Sequence, residues 1–68
     1  MTKTSPLQGR EIIIELQPFG NIMKIIAMDT KTLTEITIQG PLNASETLLK
    51  NNALKRLEYV LRKKGHIS

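Results

Sequence analysis

The segment Pro18-Phe19-Gly20-Asn21 constrains this chain more than any other. It is a strong turn signal between two aliphatic, largely β-branched runs, and a hairpin is the natural reading. Residues 10–17, Arg-Glu-Ile-Ile-Ile-Glu-Leu-Gln, precede it, and residues 22–28, Ile-Met-Lys-Ile-Ile-Ala-Met, follow it. Asp29-Thr30-Lys31-Thr32 breaks the second run, with Asp29 as a turn residue bonding its own backbone. Residues 33–39 alternate and read as a third strand, stopped by Gly40-Pro41. If 18–21 is a four-residue loop, Gln17 faces Ile22. Leu16–Met23, Ile14–Ile25 and Ile12–Ala27 then pair on one side, joined by Ile36 and Ile38. The opposite side pairs Glu15 with Lys24 and Ile13 with Ile26, each pair worth roughly a few tenths to 1 kcal/mol. A one-residue slip would exchange the faces and ruin both patterns.

The remainder reads as a helix over 44–64. Asn43 followed by Glu46 has capping-box spacing, the interior is rich in Leu, Lys, Arg, Glu and Ala, and Gly65 suits the position after the last turn. At about 100° per residue, Leu49, Ala53, Leu54, Leu57, Val60 and Leu61 share one stripe, which suits the apolar sheet face. Lys55, Glu58 and Arg62 point to water, and Glu58–Arg62 has the favourable i,i+4 order. Leu48 and Tyr59 lie together on a flank of the helix. The expected architecture is α+β. A three-stranded antiparallel meander has one C-terminal helix packed across one face, in the order β-β-β-α. This single domain occupies 10–64, with a flexible arm at 1–9 and a frayed end at 65–68.

Sixty-eight residues make one small domain, whose core supplies only about 3–5 kcal/mol. The absence of cysteine removes disulfides, thiolate metal sites and cysteine nucleophiles. With His66 the lone histidine, near the end, metal clusters and His-dependent catalysis have no basis, and no cofactor is expected. Glu15, Glu35 and Lys24 on one sheet face are better read as cross-strand pairs than as an acid–base site. Ser5, Ser45 and Ser68 have no histidine and acid arranged beside them. Gly40-Pro41 lacks the spacing of a phosphate loop. The expectation is therefore a protein without enzymatic activity and without a small-molecule substrate. No apolar run approaches the ~18 residues of a membrane span, and the first ten residues do not resemble a signal peptide, so the cytoplasm is the expected compartment.

The formal charge is +4, and the whole excess lies in residues 44–68. A basic patch favours acidic partners, while a solvated helix end whose cations complement the macrodipole explains the same pattern. Lys55, Arg56, Arg62, Lys63 and Lys64 are the candidate nucleic-acid contacts. The order β-β-β-α with a basic last helix resembles the C-terminal part of a double-stranded-RNA-binding domain. Leu49-Lys50-Asn51-Asn52-Ala53-Leu54-Lys55-Arg56-Leu57 carries that likeness over roughly the last third of the chain. Such domains set a lysine cluster at the helix N-terminus, where this chain has Ser45-Glu46-Thr47 with Lys50 nearby. Contact with an anionic membrane ranks lower, because the apolar stripe is needed for the core.

A single helix covers only one sheet face. The other carries Ile13, Ile22, Ile26 and Met28 beside Glu11, Glu15, Lys24 and Glu35, which is not the clean polar face of a half-solvated sheet. A contiguous apolar patch marks an interaction surface. The leading expectation is a small interaction domain, homodimeric or docked on a protein partner through Ile13, Ile26 and Met28, with Lys24 ringed by Glu15 and Glu35 setting register. The alternative cover for that face is the N-terminal arm with Leu7.

The chain also resembles a family of short, uncharacterised bacterial domains, mainly alphaproteobacterial. The likeness rests on Gly20-Asn21, Lys24, Ala27, Asp29, Thr34-Glu35, Gly40-Pro41, Ala44, Ala53-Leu54 and Leu57-Glu58-Tyr59-Val60-Leu61, over about residues 10–64. The family pattern places glycine where Leu33 stands. The resemblance implies a small intracellular domain without assigned activity and brings no catalytic residues.

Overall fold

The computed structural model describes residues 7 and 9–67. Expectations for the rest of the N-terminal arm, Ser5 included, and for Ser68 lie outside the described residues. Three strands, β1 (Ile12–Phe19), β2 (Ile22–Asp29) and β3 (Thr34–Pro41), form an antiparallel sheet in the order β1-β2-β3, followed by helix α1 (Glu46–Lys63). The β-β-β-α architecture is the one expected.

The register differs by two residues. Phe19 pairs with Ile22, so the hairpin turns on Gly20-Asn21 alone, with Gly20 at φ +63°. Glu15 therefore opposes Ile26 and Ile13 opposes Met28, while Lys24 opposes Gln17; the expected Glu15–Lys24 and Ile13–Ile26 pairs do not form. Pro18, read as a loop residue, lies inside β1. Gly40 and Pro41, read as a stop, are the end of β3. Both prolines sit on edge strands, where a missing N–H is tolerated. A slip of two residues leaves the faces unchanged. Ile12, Ile14, Leu16, Ile25, Ala27, Ile36 and Ile38 all point toward the helix as expected, and all belong to the core or pack against it.

The helix stripe meets that face. Leu49, Ala53, Leu57 and Leu61 are buried, with Leu54 and Val60 packed at the margins. A fully buried leucine contributes about 2 kcal/mol. Gly40 is inward-facing, and a Cβ there would lie 2.5 Å from Leu49 Cδ2, so its bare backbone is what lets the first helical turn settle on β3. The helix begins later than expected. Ala44 N–H donates to the Pro41 carbonyl at 3.1 Å, which places Asn43 within a turn, and Ser45 takes the cap. Its Oγ accepts from Leu48 N–H at 3.2 Å, and Glu46 pairs with Lys50 at 3.2 Å instead of closing a box with Asn43. At the other end Gly65, at φ +84°, follows the cap as expected. Gly65 N–H donates to the Arg62 carbonyl and His66 N–H to that of Leu61, a Schellman closure. His66 itself is exposed, while Ile67 packs on the core.

Leu7 belongs to the helix-side core, with Ile25, Ala27 and Leu57. It does not cover the opposite face of the sheet.

Candidate interaction faces

The corrected register arranges the outer sheet face in four rows, each reading across β1, β2 and β3: Phe19–Ile22–Pro41, Gln17–Lys24–Gln39, Glu15–Ile26–Thr37 and Ile13–Met28–Glu35. Rows lie about 7 Å apart, two residues of strand. Ile13, Lys24, Ile26 and Met28, the residues expected to form an interface, do share this face. Ile13 and Met28 are direct partners, with Ile26 one row on and Lys24 the next. The expected ring around Lys24 is corrected. Glu15 lies one row away on the neighbouring strand and accepts a 3.1 Å hydrogen bond from Gln17 Nε2. Glu35 lies two rows away, and the side chains flanking Lys24 are two glutamines.

Phe19 is the residue the sequence reading missed. With 18–21 taken as a loop it carried no face, yet it ends β1 on the outer side and is 73% exposed. Its signal was Gly20-Asn21, sufficient by itself for a two-residue hairpin turn. Phe19, Ile22, Pro18, Gln17, Lys24 and Gln39 border a shallow hollow of about 240 Å³ at that end of the face. At the opposite end Ile13 is 48% exposed beside the half-buried Met28, and half-buried Ile26 lies one row in.

A second surface runs along the helix. Lys55, Arg56, Arg62 and Lys63 are all exposed and, at 100° per residue, project from one flank together with Leu48, Asn52 and Tyr59. The Arg56 guanidinium lies 5.3 Å and the Lys63 ammonium 5.7 Å from the centre of the Tyr59 ring, so that two cations make cation–π contacts with one ring. Arg62 pairs with Glu58 at 3.0 Å in the expected i,i+4 order. Lys64 is set apart from this group. It is the C-cap, its N–H donates to the Val60 carbonyl, and it is turned away from the flank.

A third cluster joins the two ends of the described chain. The Arg10 guanidinium lies 2.7 Å from Asp29 Oδ2 and also donates to the His66 carbonyl at 3.1 Å. Thr32 donates to the same Asp29 oxygen through its amide and its hydroxyl, as a turn residue bonding its own loop requires, and the Thr34 hydroxyl lies 2.8 Å from that of Thr32. Burial pushes the Asp29 carboxyl up. The hydroxyl and amide of Thr32, the Arg10 guanidinium and the Lys31 amide together outweigh that push, and the group rests below its ordinary 3.8. Asp29 has no exposed surface, and its Oδ1 is buried without a hydrogen-bond partner. An ionised acid sealed in this way cannot meet a substrate. Its chemistry is structural, fixing the β2–β3 loop to the segment before β1 and to the end of the helix. No local pattern marks this burial, because Arg10 stands nineteen residues away.

Among the described residues, no group of three or more His, Asp or Glu side chains is placed to hold a metal ion. Nor is any described helix long and apolar enough to cross a membrane. No curated protein and no solved structure matches the chain. A family model does match, over residues 9–64, and by it the chain belongs to the family described as Domain of unknown function (DUF6898).

Proposed function

We propose that this chain is a small, non-enzymatic interaction domain that pairs with a second copy of itself through the outer sheet face. The setting that goes with this reading is the bacterial cytoplasm, as the family likeness noted from the sequence implies. One observation carries the proposal. Ile13, Phe19, Ile22, Ile26 and Met28 lie on a face that none of the described residues covers, while Leu7, the described apolar residue of the candidate covering arm, lies on the helix side. The charges of the four rows, Lys24 against Glu15 and Glu35, nearly balance, so two such faces meet without a large electrostatic barrier. Three strands of eight residues present a face about 27 Å by 14 Å. Two of them would bury on the order of 1,000 Å², the lower end for a specific association. A reversible dimer with a micromolar constant is the expectation. Sedimentation from micromolar to millimolar concentration should show a monomer–dimer equilibrium, shifted to monomer by Ile26→Glu. A wild-type chain that stays monomeric throughout that range overturns the reading.

The helix flank supports a second reading, a nucleic-acid-binding module using Lys55, Arg56, Arg62 and Lys63, with Lys64 at its end. The supporting observation is the pair of cations held against Tyr59. Four phosphate contacts would give log K a slope of about −3.6 against log salt on duplex. Titration of labelled duplex and single-stranded RNA and DNA at two salt concentrations tests it, and binding that ignores salt, or no binding, removes it.

A further inference from the structure

The four rows of the outer face are self-complementary in one orientation only, and we infer that two copies pair about a two-fold axis lying across the strands, between the Lys24 row and the Ile26 row. This rests on the self-association proposed above and adds the geometry of the partner.

Such an axis keeps β1 over β1 and reverses the order of rows. Phe19 then meets Ile13 of the second copy and Ile22 meets its Met28, so the two apolar ends of each face cover one another. In the middle, Gln17 lies over Glu15, giving an amide a carboxylate to donate to, and Gln39 lies over Thr37. The Lys24 stem crosses Ile26, and its ammonium comes within one strand spacing of the second copy's Glu15. Polar groups therefore meet polar groups and apolar meet apolar with two exceptions: Lys24 lays its aliphatic stem on Ile26 and carries its ammonium on toward Glu15, and the rim contact of Pro41 with Glu35 is free to turn to water. Two sheets stacked this way lie about 10 Å apart with strands nearly aligned, as in a β-sandwich, and each helix stays on the outside.

The other two-fold arrangement, with its axis along the strands, lays each row on itself. Lys24 then faces Lys24 near the centre, and Ile13 is set against Glu35. Like charges directly opposed are unfavourable, and more so once water is excluded. A head-to-tail contact of the sheet face on the basic helix flank of the next copy satisfies charge, but the flank has only Leu48 and Tyr59 to cover five apolar side chains. That contact also does not close, and it would build chains of molecules.

The chain contains no cysteine, so single introduced thiols report the geometry directly. Ile22→Cys and Met28→Cys chains, mixed in equal amounts and treated with a short bismaleimide, should give cross-linked heterodimers. Each variant alone should cross-link at least about tenfold less, because equivalent thiols then lie about three row spacings apart, near 20 Å. Efficient cross-linking of either variant with itself overturns the row order while leaving self-association intact. Species larger than a dimer in sedimentation overturn it in favour of the head-to-tail contact, and a strict monomer removes both this inference and the reading beneath it. A charge exchange gives a second measurement that does not need the thiols. Lys24→Glu and Glu15→Lys should each weaken the dimer by about tenfold, and the double variant should recover most of the loss. If a neutral Lys24→Gln instead tightens the dimer, Lys24 faces itself and the inferred axis is wrong.

Discussion

Ile25 and Ile26 are consecutive on β2, yet Ile25 is completely buried beneath the helix while Ile26 lies half-covered on the open side. The two faces of this sheet are built from the same aliphatic vocabulary and differ in how polar groups are mixed into it. On the helix side the apolar residues are continuous, and polar groups are confined to one end, where Asp29 and Thr34 are buried and bonded. On the outer side a polar group sits in three of the four rows, each with access to water. The first pattern suits contact that is never broken, because exposing it costs the whole fold. The second suits contact that can be made and released, since its glutamines and carboxylates are solvated when the chain is alone.

Substitutions that shrink one side chain on each face test this contrast most sharply. Leu57→Ala empties the middle of the helix-side core and should cost about 4 kcal/mol. In a domain this small that unfolds most molecules at room temperature, read as loss of helical circular dichroism. Asp29→Ala strands the Arg10 guanidinium, whose side chain is only 12% exposed, and should cost about 3 kcal/mol. The same carboxylate gives the fold an acid limit. Its folded pKa lies below the ordinary 3.8, so its contribution is complete above the unfolded carboxyl's range and is lost as pH falls through the folded value. Asp29→Asn should flatten that acid limb in denaturant titrations between neutral pH and pH 2, while leaving other carboxylates to act.

Leu33→Gly should act in the opposite direction. Leu33 holds φ +61° in the β2–β3 loop with its side chain 71% exposed, a conformation that suits glycine and costs leucine about 1 kcal/mol. Removing the side chain sacrifices little burial, and the melting temperature should rise by about 4 °C. The smallest effect belongs to the outer face. Ile26→Thr should change the stability of the monomer by no more than about 0.5 kcal/mol, measured at a concentration where dimers are absent. A large loss there would show that the open face is part of the folding core, and the contrast between the faces would fail.

What could be read from the sequence follows the same division. Which residues share a face was legible, because period-two alternation survives any even shift of register. Which residues stand opposite was not, for that same reason: Glu15 against Lys24 and Glu15 against Ile26 satisfy one hydrophobic pattern equally. The turn residues had to decide, and Pro18 argued for a longer loop because its tolerance on an edge strand depends on strand order, a tertiary fact. Asn43 and Ser45 are both good caps, and the choice fell to the Pro41–Ala44 turn. The helix end was legible, since Gly65 after a basic last turn has one common use. Leu7 was not, being a lone leucine in a polar stretch with no periodicity around it, and its burial left the outer face more open than the sequence allowed one to say. The exposed cations were legible as residues, but their gathering around Tyr59 needed the helix phase set by the core.

The grip of Arg10 on the His66 carbonyl has a topological consequence. Entry and exit of the polypeptide lie at one corner of the molecule, within the reach of a single arginine side chain. A short bridge between residues 7 and 67, which keeps the core residue Leu7, should close the backbone into a ring that can be reopened at Gly20-Asn21, and the same corner would let the whole unit be spliced into a surface loop of a host protein with little displacement of the host's own strands.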